Sequence, residues 1–173
     1  MGLAANRKIA FSSADMKLYA AAIVRCDVGA ARVVAFEMEN SHFGFIQRGS
    51  VREYMLFFAR TIAERTARGV RMSVEENDYV VHCFCNLGGL AALIIADREY
   101  PVRVAFALIA RILEDFAREV PRDTWLVATE RIEWPPLRGF VHQYQDPAAA
   151  VLLGIGEAID DLGELLARNL QAP

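Results

Sequence analysis

The sequence predicts an α+β domain organised on an antiparallel sheet, and three observations point there. Strand-like runs fall into two groups, a pair before residue 40 and three in close succession from 70 to 95, with the helical patterns set apart from them. The run Leu90–Ile95 (LAALII) holds no polar residue, so a strand there is covered on both faces and central in its sheet. Beyond Pro101, which suits a helix start, Val102, Phe106, Ile109, Leu113, Phe116 and Val120 recur at steps of four and three as one apolar stripe, with Arg103, Arg111, Glu114, Asp115 and Arg118 off it. A strand buried on both faces that feeds a one-faced helix is a core.

The remaining elements follow in order. Met16 to Arg25 and Arg32 to Glu39 are strand-like and joined by Asp27-Val28-Gly29, which favours a hairpin. A loop from Asn40 to Gly49 leads to Ser50 and Glu53, the S-x-x-E pattern of a capping box, so the first helix is expected from Ser50 to about Arg68 with Gly69 as its stop. Its core stripe is Val51, Met55, Phe58 and Ile62. At 100° per residue Phe57 lies roughly 120° from that stripe and Leu56 farther round on the other side, so YMLFF has more apolar surface than one core contact buries. Such a helix is either sandwiched between the sheet and a loop or offers a docking face. Val70, Met72 and Val74 alternate with Arg71, Ser73 and Glu75 as a half-exposed strand; Asn77-Asp78 turns into Tyr79–Cys85, and Asn86–Gly89 into the central strand. Residues 121–147 are expected to be irregular, with Pro121, Pro135, Pro136 and Pro147 as breakers, before a last helix from Ala148 nearly to Pro173.

Composition excludes several classes of function. The chain has 173 residues, 54% of them hydrophobic and 24% charged, which suits one globular domain. Its net charge of −3 and the lack of a basic run give no pull toward nucleic acid. Residues 1–15 have no apolar stretch of the secretory type, and the odd set Cys26, Cys83 and Cys85 suits a reducing compartment. Cys83 and Cys85 share one strand face and read as core thiols, and His82, in an apolar strand, reads as a satisfied core histidine. His42, His82 and His142 are too scattered for a metal site, and Gly154-Ile155-Gly156 is not a dinucleotide fingerprint. No enzyme motif is present, and neither catalytic residues, cofactor nor metal is expected.

The C-terminal stretch is more informative. Leu152, Ile155, Ile159, Leu162, Leu166 and Asn169 are spaced 3, 4, 3, 4 and 3, the seam of a coiled coil closed by a polar residue of the register-setting kind. An amphipathic helix packed on its own domain has the same pattern.

Met16-Lys17-Leu18-Tyr19, FIQRGSVREYM (45–55), Glu64-Arg65, SVEENDY (73–79), IADREYPVRVAF (95–106) and YQDP (144–147) together resemble the longin domain of an R-SNARE, most nearly the lipid-anchored YKT-type. The resemblance implies the longin (profilin-like) fold, a five-stranded antiparallel sheet with one helix on one face and two on the other. It divides the chain into an extension (1–15), a longin domain (16–147) and the start of a SNARE segment (148–173). It also implies a role in vesicle-mediated transport and membrane fusion, regulated by a hydrophobic groove beside the first helix that binds a SNARE segment. Tyr54, Phe57 and Thr61 are the groove positions it implies, and Leu152, Ile155, Ile159, Leu162, Leu166 and Asn169 the layer positions. The implied partners are Q-type SNAREs and the chain's own segment, with lipid contact through the groove. The implied location is cytoplasmic, peripheral to Golgi, endosomal or vacuolar membranes. The sequence stops short of the family's layer arginine and lipid-bearing cysteines, so the expectation is either a shortened form or a protein that keeps regulation without fusion. An adaptor or tethering subunit of the same fold and a small-ligand sensor are the alternatives.

Overall fold

A computed structural model describes residues 17–26 and 30–146. Five strands, β1 (Leu18–Arg25), β2 (Arg32–Met38), β3 (Arg71–Glu76), β4 (Tyr79–Cys85) and β5 (Leu90–Asp97), form one antiparallel sheet in the order β2-β1-β5-β4-β3. The apolar run therefore lies at the centre, as its composition requires. Leu90, Ala92, Ile94 and Ala96 face one core, while Ala91, Leu93 and Ile95 face the other. β1 alternates the same way, except that a shift of register between Leu18 and Ala20 turns Tyr19 and Ala20 to the same side.

Four helices cover the two faces: α1 (Arg48–Arg65), α2 (Val102–Glu119), α3 (Arg122–Val127) and α4 (Pro135–Gln143). α1 alone covers the first, burying Met55, Ala59, Ile62 and Ala63 against Phe36, Met38, Val81, Cys83 and Leu93. α2 and α4 cover the second, with Trp125 of the short α3 in the same core. Phe116 meets Trp134 edge to face at 5.3 Å, and the Trp134 indole N–H donates to Glu119 at 2.8 Å. Tyr100 donates its hydroxyl to the Tyr144 carbonyl at 2.9 Å, tying the start of α2 to the end of α4.

Three local expectations are corrected. α1 starts at Arg48 and ends at Arg65, and Ser50 lies inside it without capping. A turn closed by Gln47 N–H to the Gly44 carbonyl (2.9 Å) runs straight into the helix, and the Gln47 carbonyl already accepts from Val51 at 3.0 Å. The helix ends where Thr66 turns its hydroxyl back to the Ile62 carbonyl, and Gly69, at φ +77°, serves the following turn instead. The buried stripe of α2 centres on Ala105, Leu108, Ile109, Ile112 and Phe116 rather than running from Val102 through Phe106. Val102 is exposed and Phe106 sits at the flank, because α2 packs on α4 as well as on the sheet. Finally, residues 121–147 are not irregular. Pro135 and Pro136 open α4, where a missing N–H goes unnoticed, so residues read as breakers act as starters.

The sheet's two outer edges differ. The Ile132 N–H donates to the Val34 carbonyl at 2.7 Å, so the chain before α4 lies along β2. β3 is the edge strand at the other end, with Arg71, Ser73, Glu75 and Glu76 exposed.

His82 is buried in β4, with its Nδ1 2.7 Å from the Ser73 hydroxyl and its ring edge-on to Phe106 at 5.5 Å. Burial lowers its pKa. The unfolded chain takes up this proton near pH 6.5 and the folded chain only at lower pH. The group's contribution to stability is thus complete above about pH 6.5 and is lost as pH falls toward the folded-state pKa. His82→Asn, whose amide can still meet Ser73, should flatten the loss of stability between neutral pH and about pH 5, as read by urea unfolding. Parallel pH profiles for the two proteins would contradict this assignment.

Candidate functional site

α1 has an inward and an outward life. Ala59 and Ala63 are small enough to let it lie close on the sheet, and Val51, Leu56 and Phe58 are half-buried at its flanks. Phe57 points about 180° away from the buried row and is 58% exposed. The Arg60 guanidinium stands 6.0 Å from its ring centroid. Tyr54 stacks on Phe58 at 5.8 Å, and Thr61 donates its hydroxyl to the Phe57 carbonyl at 2.9 Å.

Beside Phe57 opens a cleft of about 940 Å³. Leu56, Phe57 and Arg60 form its α1 wall, Ala30 to Val33 the β2 wall, and Thr129 to Arg131 the third side. Apolar surface comes from Leu56, Phe57, Ala31 and Val33, with Arg32, Arg60 and Arg131 at the rim against one acid, Glu130. Arg32 donates to the Thr129 carbonyl at 2.6 Å, which fixes the 129–131 segment to the strand. Ala31 N–H donates to Glu64 at 3.1 Å and fixes the strand entrance to α1. Arg131 also borders a smaller depression along β2 that contains Phe36, Arg52 and Arg138. There Arg52 lies over the Phe36 ring at 5.0 Å and Arg138 faces Glu37 at 3.5 Å. Exposed apolar side chains set among mostly cationic ones suit an amphipathic, acidic occupant.

Of the groove positions expected from the sequence, Phe57 lines this cleft. Tyr54 and Thr61 are not among its lining residues. Leu152, Ile155, Ile159, Leu162, Leu166 and Asn169 lie outside the described residues. Local patterning did not disclose Arg32, Arg60 or Arg131, because the cleft joins three segments distant in sequence and has no motif of its own.

Cys83 and Cys85 are buried in the core, while His42 and His142 make local polar contacts. Cys83 and Cys85 point from β4 toward α1. Burial pushes Cys83 up to about 11, and burial with the neighbouring Cys85 thiol pushes Cys26 up to about 12. His42 Nε2 is 2.8 Å from the Gln145 amide oxygen, and His142 Nδ1 is 3.6 Å from Glu39. Among the described residues no three His, Cys, Asp or Glu side chains are grouped to hold a metal ion, and no helix is long and apolar enough to cross a membrane.

Residues 40–134 match the family model for the longin, regulated-SNARE-like domain. The chain is 35% identical to the synaptobrevin homolog ykt6 of Schizosaccharomyces pombe over 158 residues, which span 91% of this chain and 80% of the relative. It is 35% identical to the synaptobrevin homolog YKT6 of Yarrowia lipolytica over 161 residues, with the same coverage. With the Saccharomyces cerevisiae synaptobrevin homolog YKT6 it shares 31% identity over 160 residues, or 90% of this chain and 80% of the relative.

The thiol environment is open to test. A pKa near 11 leaves the Cys83 thiolate about a hundredfold scarcer than in an unhindered thiol, and burial blocks the reagent as well. Ellman's reagent should therefore modify native Cys83 at least about a hundredfold more slowly than in guanidinium. Rapid native modification would contradict the packing role.

Proposed function

The chain belongs to the longin-domain R-SNARE family, in its YKT-type branch, and from that membership we propose that its Phe57 cleft is a regulatory groove that takes up the chain's own residues 148–173. The protein is an R-SNARE-like component of vesicle transport. In the proposed arrangement, residues 16–147 are the regulatory domain and 148–173 the start of the SNARE segment. The domain holds that segment back until Q-type SNARE helices compete for it.

The observation that carries the reading is the cleft's pairing of exposed aromatic surface with arginines. The segment offers the complement, with apolar Leu152, Ile155, Ile159, Leu162 and Leu166 interspersed with Glu157, Asp160, Asp161 and Glu164. An isolated helix of this length is marginal in water and gains by folding against a surface. The tether is short and well placed. Gln145 donates to the Leu18 carbonyl at 2.5 Å and the Val141 carbonyl at 2.8 Å, anchoring the chain just before the segment begins. From there the cleft is about one strand length away, roughly 23 Å, whereas 26 residues in a helix span about 39 Å. Tethering over such a span gives an effective concentration on the order of millimolar, so even a weak site fills. In the same proposal the cleft, offered in trans, takes segments of Q-type SNAREs, and the family membership supports a peripheral place at Golgi, endosomal or vacuolar membranes.

Phe57→Glu puts a charge into the apolar wall and touches nothing buried. In the full chain it should leave the circular dichroism of the sheet unchanged and raise amide exchange in residues 150–170 by about tenfold or more. Arg60→Glu with Arg131→Glu should do the same through charge. Exchange in 150–170 that is identical in the parent and all variants would remove the groove reading.

A further inference from the structure

The two most exposed large apolar side chains among the described residues lie outside the cleft, at the tip of the turn that precedes α1. Phe45 is 84% and Ile46 93% exposed. They occupy the central positions of the turn closed by Gln47 N–H to the Gly44 carbonyl at 2.9 Å. The turn is braced from behind. Phe43 packs on Tyr19 at 5.7 Å, Arg48 Nε donates to the Phe43 carbonyl at 3.2 Å, and His42 holds Gln145. The Arg48 guanidinium lies 5.9 Å from the Phe45 ring centroid, at the base of the tip.

The charge at the base of the tip is that of Arg48, and the nearest acids in sequence, Glu39 and Glu53, flank the segment on either side. In a chain of net charge −3, residues 40–52 contain Arg48 and Arg52 and no acid. Tip, brace and cationic base form a wedge.

We propose that Phe45 and Ile46 insert into the interfacial region of an anionic phospholipid bilayer while Arg48 meets the lipid phosphates. The occupant follows from size and shape. A stable protein complex buries about 800 Å² on each partner, far more than a four-residue convex turn presents. A bilayer accepts a convex tip without a matching pocket, and apolar insertion with basic attraction to anionic headgroups is how peripheral segments bind it. Prefolding of the turn means that no ordering of backbone opposes insertion. This contact is independent of the Phe57 cleft, which lies on another face of α1.

The test uses the full chain and vesicles of phosphatidylcholine with or without phosphatidylserine. Co-flotation should show binding to the anionic vesicles. Phe45→Ser with Ile46→Ser should weaken it by about tenfold or more, with an unchanged thermal melt. Leu87→Ser, at an equally exposed apolar residue on another turn, should leave it unchanged. Arg48→Gln should weaken binding to anionic vesicles and leave the weaker binding to neutral ones unaltered. Both native tryptophans are buried, so Phe45→Trp adds an exposed reporter. Its emission should shift to the blue on vesicles and be quenched by brominated lipid acyl chains. Absence of vesicle binding by the parent chain, equal binding by the double serine variant, or no quenching of the reporter would each overturn the proposal. So would a concentration-dependent dimer that the double serine variant abolishes while vesicle binding persists.

Discussion

Burial of β5 on both faces is the constraint from which the remainder follows. Seven consecutive residues, Leu90 to Ala96, are buried, alternating between two cores. Each leucine and isoleucine among them contributes about 1.5–3 kcal/mol only if its face is kept from water, so neither face can be left open. One helix supplies cover on one side and three supply it on the other. The antiparallel order β2-β1-β5-β4-β3 is the consequence: β1 and β4 flank the centre and are nearly as apolar, while the more polar β2 and β3 take the edges.

Coverage is unequal, and the inequality generates the site. The α2 face is closed by interlocking aromatic contacts among Phe116, Trp134, Phe140 and Tyr144. The α1 face has a single helix, too narrow to reach from β2 to β3. The helix meets the sheet through two alanines and two longer side chains, leaving Leu56 and Phe57 facing a cleft that only the 129–131 segment borders from the far side. A docking surface here is what a five-stranded sheet with one covering helix leaves over.

Much of this was readable from residues because it depends on local periodicity. LAALII marked the centre of the sheet, and the excess of apolar residues in YMLFF marked Phe57 as facing away from the core. The errors share a cause. Ser50 and Glu53 match a capping pattern, yet a hydrogen-bonded turn upstream had already started the helix. The prolines at 135 and 136 suit a break or a beginning equally, and only the docking of Trp134 and Leu137 on the second core decides for a helix. Val102 and Phe106 fit the helical period, but α4 shifted the buried stripe. The arginine rim depends on Arg32 and Arg131 meeting across about a hundred residues, a distance over which no pattern in the chain reports.

The unlike edges of the sheet carry a consequence for self-association. β2 already gives the Val34 carbonyl to Ile132, whereas β3 keeps its outer backbone row unshared among the described residues. Strand addition at β3 is self-limiting: two copies that met β3 to β3 would use up both of those margins and stop as a closed pair. Arg71, Glu75 and Glu76 make even that meeting selective, since an antiparallel partner must set opposite charges against each other. The topology itself thus weighs against growth into fibres.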